Sequence, residues 1–362
     1  MNLKKILFFF LILNANPFSL PAKSNPDIFI ISNISPHVYI AHPGRTNRIN
    51  STSTIIVSTH FLTVIESQTD EFMAGELIRE IRQRISKLPI KYLIFSHFHL
   101  DHILGAGAFL RENPALIIIA QQKTAEHISM YGKEDQESWG TAVFQKSDEV
   151  KISAKSAKTE QQKNYFSRTS NDLEAYYRDI KSSVITPPNL VFRDTLTISD
   201  NDLSLQLSYL GAGHTSGDIV IFIPQDKVLV TGDLVHDYEP LFWDADPDSW
   251  IQVLDKINRI DFDYFVGGHG DKHKGREIVY AWENYLKELI AKTREAIREK
   301  QTLENFQRQI TAEMFISLQN GYGQRIQQFR EGYMDYFIGP LTDAIKGEIG
   351  FLWKFYAGRN QE

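Results

Sequence analysis

Residues 96–102 have the sequence SHFHLDH. It holds three imidazoles and one carboxylate within six positions: His97, His99, Asp101 and His102. The apolar run before it, residues 90–95, predicts a short buried strand that leads directly into these side chains. Neutral imidazole is the commonest zinc ligand in proteins, and carboxylate oxygen complements it where cysteine is missing. The density of donors favours a metal-binding loop over chance histidines in a polar loop.

Three further positions place a metal-competent side chain beside glycine at the end of a predicted strand. They are His214 within GAGHTSGD, Asp233 after TG, and His269 between two glycines. Ligand sites of α/β proteins lie preferentially at strand ends and in the loops that follow them. Each position alone is more typical of a structural turn. Together with the first stretch they give seven candidate metal ligands.

These motifs resemble those of the metallo-β-lactamase superfamily, over roughly residues 30–300. The resemblance implies an α/β fold, a four-layer αββα sandwich in which two mixed sheets face each other. A helical insertion and a helical C-terminal region would complete it. The resemblance also implies the metal ligands: His97, His99 and His214 for one ion, Asp101, His102 and His269 for the other, and Asp233 bridging both.

The second metal site distinguishes branches of this superfamily. Lactamases that use a cysteine there are excluded as models because the chain has none, and those with a histidine there lack an aspartate like Asp233. The chain is therefore more similar to glyoxalase II, lactonases and the zinc hydrolases of quinoprotein relay systems. One departure is Glu66-Ser67-Gln68, where family members usually carry Asp-Gly. Glu66 is a candidate for orienting a ligand histidine, with a longer reach than aspartate.

The resemblance implies a binuclear zinc hydrolase, with iron or manganese as alternative metals. A hydroxide bridging the metals would attack the carbonyl carbon of an ester, lactone, thioester or amide. Asp101 would orient the attacking water and carry a proton. Two alternatives stay open: an iron-dependent oxidoreductase acting in oxygen or sulfur chemistry on the same ligands, and a β-lactamase proper. We interpret Asp218 as a candidate to support a ligand. His236 and His273 are interpreted as surface or pocket-wall residues, because the two-metal set is already complete.

Composition narrows the function classes. The 362-residue chain has a formal net charge of −6 and no basic cluster, which argues against a nucleic-acid partner and favours a small-molecule substrate. The absence of cysteine excludes disulfides, a thiol nucleophile and thiolate ligands. The sequence leaves the oligomeric state open.

The first 22 residues predict a cleaved export signal. Lys4 and Lys5 precede a short apolar run, residues 6–13, and a small-residue cleavage site ends at Ala22. A membrane-spanning helix needs about 20 apolar residues, so we expect no stable membrane insertion after cleavage. An uncleaved anchor or a buried N-terminal strand is the alternative. Export would make the protein periplasmic or secreted.

The remaining chain predicts a catalytic domain over residues 23–300 and a C-terminal helical region over 301–362. Residues 127–190 are polar and are interpreted as a partly helical insertion, a common form for lids and binding loops. Apolar and alternating patterns predict strands at 37–41, 55–65, 90–95, 115–120, 203–209, 219–223, 227–231 and 263–266. Helix-start signals lie at 69–70 and 246–247, and residues from 275 onward read as mostly helical.

Overall fold

A computed structural model describes residues 28–44, 46–201, 203–237, 239–319, 323, 326 and 341–359. The predicted export signal, residues 1–22, lies outside the described residues. The described residues form two compact units, which we name unit 1 (residues 28–192) and unit 2 (residues 193–359). Among the described residues, no helix combines the length and apolar character that crossing a membrane requires.

Unit 1 is built on a seven-stranded mixed sheet whose strand order follows the chain. The strands are β1 (Phe29–Asn33), β2 (Val38–Pro43), β3 (Ser53–Val57), β4 (Leu62–Ile65), β5 (Ile90–Ile94), β6 (Ile117–Gln121) and β7 (Leu190–Phe192). The first four pair antiparallel, and β4 to β7 pair parallel. Since parallel strands end at the same edge, the residues that follow β4 and β5 come together there.

The predicted strand 55–65 is two strands, because a turn separates β3 from β4. The backbone N–H of Ser58 donates to the carbonyl of Phe61 at 3.0 Å and reverses the chain. Both strands are almost entirely buried. The polar residues between them, Ser58, Thr59 and His60, mark the turn, and the predicted strand wrongly ran across them.

Five helices complete unit 1: α1 (Glu71–Glu80), α2 (Leu100–Ile103), α3 (Ala106–Glu112), α4 (Gln122–Ser156) and α5 (Glu160–Ser182), with a π-helical turn at Ile81–Ile85 extending α1. Asp70 caps α1 by accepting from the Met73 N–H at 2.8 Å, as its helix-start signal predicts. The insertion predicted as partly helical is largely the helical hairpin α4–α5. Thr159 and Gln162 form a capping box where its second helix begins.

Unit 2 is built on a six-stranded mixed sheet, again in chain order. Its strands are β8 (Thr195–Asp200), β9 (Leu203–Ser208), β10 (Val220–Ile223), β11 (Val228–Gly232), β12 (Tyr264–Gly267) and β13 (Lys272–Lys274). The predicted hairpin is β10–β11, and the alternating residues 203, 205 and 207 face the core on β9. Only β11 and β12 pair parallel among the described strands of this sheet.

The helices found among the described residues of unit 2 are α6 (Pro247–Ile257), α7 (Glu277–Arg298), α8 (Leu303–Gln309) and α9 (Leu341–Arg359), with a 3₁₀ turn at Ala312–Met314. Asp246 caps α6 by accepting from the Ser249 N–H at 3.0 Å, and Pro247 occupies the first turn, as the sequence predicts. Trp250 and Trp282 are fully buried in the core that these helices share. The described residues after 275 are mostly helical, as expected.

Candidate metal centre

The unit 1 donors gather at the edge where β5 ends. His99 has an extended backbone (φ −65°, ψ 144°) and lies at the start of α2, so the chain turns sharply between the donors. The ring of His97 lies 4.7 Å from that of His99 and 4.2 Å from that of His102, measured between centroids. The Nε2 atom of His102 lies 3.4 Å from Asp101 Oδ2. All four donor side chains of the SHFHLDH stretch therefore lie side by side.

Glu66 lies behind this set, because the parallel pairing of β4 with β5 brings it beside Ser96. Its Oε2 accepts from the Ser96 N–H at 3.4 Å and lies 3.4 Å from His102 Nδ1. The Glu66 backbone adopts φ +70°, in the left-handed region that glutamate rarely occupies. Strained backbone of this kind persists where the surroundings enforce it, often at functional sites. The structure thus places Glu66 where it can orient His102.

The turn at 66–68 interlocks with the donor loop. The carbonyl of His102 accepts from both the Ser67 N–H (2.7 Å) and the Ser67 hydroxyl (3.0 Å). Gly105 donates its N–H to the Gln68 carbonyl at 3.1 Å. A Cβ atom on Gly105 would overlap the Ser67 carbonyl oxygen and lie 2.7 Å from the Ala74 side chain. Glycine is therefore required sterically where the loop rests on this turn.

The unit 2 donors come from three strand ends and converge on one oxygen atom. Asp233 Oδ2 lies 3.7 Å from His214 Nε2 and 3.4 Å from His269 Nε2. Parallel pairing of β11 with β12 sets Gly232 opposite Gly267, which brings Asp233 and His269 to the same edge. Zinc–nitrogen bonds of about 2.0–2.1 Å place the ligands of a tetrahedral ion about 3.3 Å apart. The spacing around Asp233 fits such an ion.

The tautomer of His214 follows from its partner. Its Nδ1 lies 3.1 Å from the carbonyl oxygen of Leu241, which can only accept, so in the neutral ring Nδ1 carries the proton. The lone pair of Nε2 then faces the carboxylate of Asp233. Two electron-rich atoms at this distance are stabilised by a cation that both can bind. The donor chemistry of unit 2 thus fits a divalent metal.

Asp218 fixes the turn that carries His214. Its Oδ2 accepts from the N–H groups of Gly213 (3.1 Å) and Thr215 (2.8 Å), and its Oδ1 accepts from the Thr215 hydroxyl at 2.8 Å. These hydrogen bonds hold the backbone on both sides of His214. Asp218 therefore supports this candidate ligand through its backbone.

Two further histidines surround the unit 2 donors. His236 is buried, with its ring 4.4 Å from Trp282 and 5.8 Å from His269. His273 pairs with Asp237 at 2.7 Å, and its ring stacks on an aromatic side chain of β12. The interpretation of both as surface or pocket-wall residues stays a prediction.

Sequence reasoning missed Glu348 on α9. Its side chain is buried, and its Oε2 accepts from the Phe242 N–H at 3.1 Å. Burial, followed by the nearby charge of Glu239, raises the pKa of the Glu348 carboxyl well above its usual range, while the hydrogen bond from Phe242 opposes this rise. A single glutamate in an ordinary helical pattern gives no sequence signal for such a position.

A family model described as the metallo-beta-lactamase superfamily matches residues 46–269, more than half of the 362-residue chain. The chain belongs to the metallo-beta-lactamase superfamily. The matched segment contains all seven predicted ligands. The predicted α/β class is confirmed, since both units carry a mixed sheet with helices and the described C-terminal residues are helical. The described residues also include groups of His and Asp side chains that could hold a metal ion.

Two curated relatives have names that give different substrate classes. The linear primary-alkylsulfatase of a Pseudomonas species is 24% identical over 324 residues, 78% of this chain and 55% of that protein. The metallo-beta-lactamase type 2 of Bacteroides fragilis is 32% identical over 120 residues, 31% of this chain and 47% of that protein. The chain thus spans about half the length of the curated relatives it matches.

A solved structure supports the fold over most of the chain. The stereoselective inverting sec-alkylsulfatase Pisa1 from Pseudomonas sp. matches with a TM-score of 0.61 and 16% identity, over 91% of this chain and 50% of that one. At this identity the likeness concerns the fold alone.

Proposed function

We propose that this chain is a binuclear metal-dependent hydrolase of alkyl sulfate esters. The observation that carries the substrate class is the extent of similarity. The alkylsulfatase is matched along 78% of this chain, whereas the lactamase is matched along 31%.

In this proposal the seven ligands would hold two zinc ions. His97, His99 and His214 would hold one ion, Asp101, His102 and His269 would hold the other, and Asp233 would serve both. The convergence of His214 and His269 on one oxygen of Asp233 supports the bridging role. The close packing of the donor side chains in residues 97–102 supports their shared role. When bound, two ions would acidify a water molecule and polarise the ester oxygen.

The chain's own side chains would orient the reactants. The Asp101 side chain is partly exposed beside His102, so its carboxylate can hold a water molecule and accept its proton. Glu66 and the carbonyl of Leu241 hold the rings of His102 and His214 from behind. With water as the nucleophile, no serine or cysteine is needed.

A second candidate is hydrolysis of a carbonyl compound, the activity that the sequence motifs predict. The 32% identity to the lactamase favours it, although over a shorter stretch. A carboxylic ester, lactone, thioester or β-lactam would then replace the sulfate ester at the same ligands.

One substrate panel separates these candidates. The zinc-loaded protein is assayed with a primary alkyl sulfate, an alkyl carboxylic ester, a lactone, a thioester and a β-lactam. We expect release of inorganic sulfate from the alkyl sulfate, loss of that activity with a chelator and recovery with zinc. An Asp233→Ala preparation provides the matched background. Turnover of a carbonyl substrate with none of the alkyl sulfate would overturn the proposed substrate class.

Metal content tests the binuclear proposal separately. Protein produced in defined medium and reconstituted with zinc should carry close to two ions per chain by elemental analysis. Iron taken up in preference to zinc, with redox activity, would instead support the oxidoreductase alternative. Absence of bound metal after reconstitution would refute both.

A further inference from the structure

We propose that Glu348 is a positioning residue for His214, acting through the single peptide group that joins Leu241 to Phe242. The inference rests on the proposed role of His214 as a metal ligand. It assigns a part in ligand orientation to the C-terminal helix α9, which carries Glu348 but none of the seven predicted ligands.

Two hydrogen bonds meet at this peptide group. On one side, the Phe242 N–H donates to Glu348 Oε2 at 3.1 Å. On the other side, the Leu241 carbonyl accepts from His214 Nδ1 at 3.1 Å. The described residues contain no cis peptide bond, so the N–H and C=O of this group point in opposite directions. The carboxyl of Glu348 and the ring of His214 therefore hold opposite sides of one rigid plane.

The arrangement acts on the ring in two ways. Holding the N–H fixes the rotation of the peptide plane and so the direction in which the Leu241 carbonyl points. A hydrogen bond to the N–H also polarises the peptide, which strengthens the carbonyl as an acceptor by about 10–30%. Both effects keep the His214 proton on Nδ1 and leave Nε2 to face Asp233. Metal-binding histidines commonly depend on such an acceptor behind the ring.

Glu348 is firmly anchored. It is 5% exposed, and the neighbouring Ile345, Ile349 and Leu352 are fully buried in the core of unit 2. The same helix is held at its far end by the Tyr356 hydroxyl, which lies 2.8 Å from Asp248 Oδ1. The raised pKa of Glu348 agrees with a protonated carboxyl, whose carbonyl oxygen accepts without adding charge near the ligands. Glutamine can supply the same acceptor.

Three variants test this role. Glu348→Gln retains an acceptor, Glu348→Met removes it at similar size, and Tyr356→Phe removes a different hydrogen bond of the same helix. Zinc affinity is measured by competition with a chelator. The tautomer of His214 is read from ¹⁵N-histidine NMR of the zinc-free protein, with His214→Ala identifying the signal.

We expect Glu348→Met to lose about 10-fold in zinc affinity, the lower end of what such orienting partners contribute, and to populate the other His214 tautomer. Glu348→Gln should stay within about 2-fold of the wild type, and Tyr356→Phe should lower only thermal stability. An unchanged tautomer and affinity in Glu348→Met, or equal losses in Glu348→Gln and Glu348→Met, would overturn the inference.

Measurements on the wild type keep the inference testable if Glu348→Met does not fold. The Phe242 amide should exchange slowly with solvent deuterium, and His214 should carry its proton on Nδ1. Rapid exchange or the opposite tautomer would overturn the role of Glu348. Failure of the wild type to bind zinc would instead refute the proposed function, while the tautomer measurement would still stand.

Discussion

The two donor sets of this chain are assembled in different ways. In unit 1, four donors come from one six-residue stretch, and their spacing follows from the local turn at the end of β5. In unit 2, three donors come from separate strand ends and depend on sheet pairing and on hydrogen bonds from elsewhere in the unit. We call His97, His99, Asp101 and His102 the local set; beyond its own stretch it rests on the turn at 66–68. We call His214, Asp233 and His269 the assembled set, which is more open to disruption from positions remote in the sequence.

We expect the largest effect, a loss of bound metal, from replacing Asp233, which both histidines of the assembled set approach. Asp233→Ala removes the carboxylate that two histidines approach, so both ions should be lost together. Partners behind a ligand typically contribute 10–100-fold in affinity or activity, and a shared ligand should contribute at least that. Metal is counted by mass spectrometry on protein shown to be folded by circular dichroism. His236→Ala is the control and should keep close to two ions, whereas the reverse outcome would make His236 the ligand.

For the local set, we expect the largest loss of stability from a substitution at Gly105, where the donor loop packs on the turn at 66–68. Gly105→Ala places a methyl group against the Ser67 carbonyl and the Ala74 side chain, and such overpacking costs about 1–3 kcal/mol. Gly75→Ala, inside α1 with open space around it, is the matched control and should stabilise by about 0.5–1 kcal/mol. Denaturant unfolding measures both. Equal stability of the two variants would show that the loop does not depend on this contact.

Near the assembled set, the buried carboxyl of Glu348 makes the free energy of unfolding depend on pH. Its raised pKa means that, above the usual carboxyl pKa, the folded state still binds a proton that the unfolded state has released. The contribution of Glu348 to the free energy of unfolding is therefore greatest at low pH and falls as pH rises, by about 1.4 kcal/mol per pH unit over which only the folded form is protonated. Glu348→Gln lacks this loss. Urea unfolding of zinc-free protein from pH 5 to 8 should show the wild type falling relative to the variant, and parallel curves would contradict the burial of an ionisable group.

The smallest effect concerns a contact that the helical hairpin makes with the local set. His127 on α4 stacks on Phe98, between two predicted ligands, at 3.5 Å and 9°, and its Nε2 lies 2.8 Å from Asp135. His127→Ala should cost about 0.5–1.5 kcal/mol, since the stacking and a hydrogen bond are lost. His60→Ala, on an exposed turn, is the control and should be neutral. A neutral His127→Ala in thermal unfolding would show that the local set stands without the hairpin.

The difference between the sets explains what the sequence could predict. The candidate donors of the SHFHLDH stretch could be predicted because they lie close together in the chain. The unit 2 donors can be recognised in the sequence only as strand-end motifs, because no single residue specifies the parallel pairing of β11 with β12. Glu348 lies 106 residues from the peptide it contacts and has no motif, so only the folded chain reveals its role.

The hairpin α4–α5 shows a second reason why the sequence predicted the structure only in part. Many of its buried side chains are polar or small, among them Gln136, Ser147, Thr169 and Ser170. Gln136 donates to the backbone, and Ser147 and Ser170 hydrogen-bond to each other, so polar residues form much of the interface. An apolar periodicity is correspondingly weak, and the pattern indicated only partial helix. The short strands β7 and β13 have three residues each and carry too little pattern to predict.

Trp250 gives unit 2 an optical reporter of its own. The indole is fully buried, its ring lies 5.6 Å from that of His214, and its Nε1–H donates to the carbonyl of Leu234, the residue after Asp233. Any change of charge among these donors acts on the excited indole at close range. Replacing the other four tryptophans by phenylalanine would leave a single emitter whose intensity follows cation uptake in real time, without a dye, a substrate or a label.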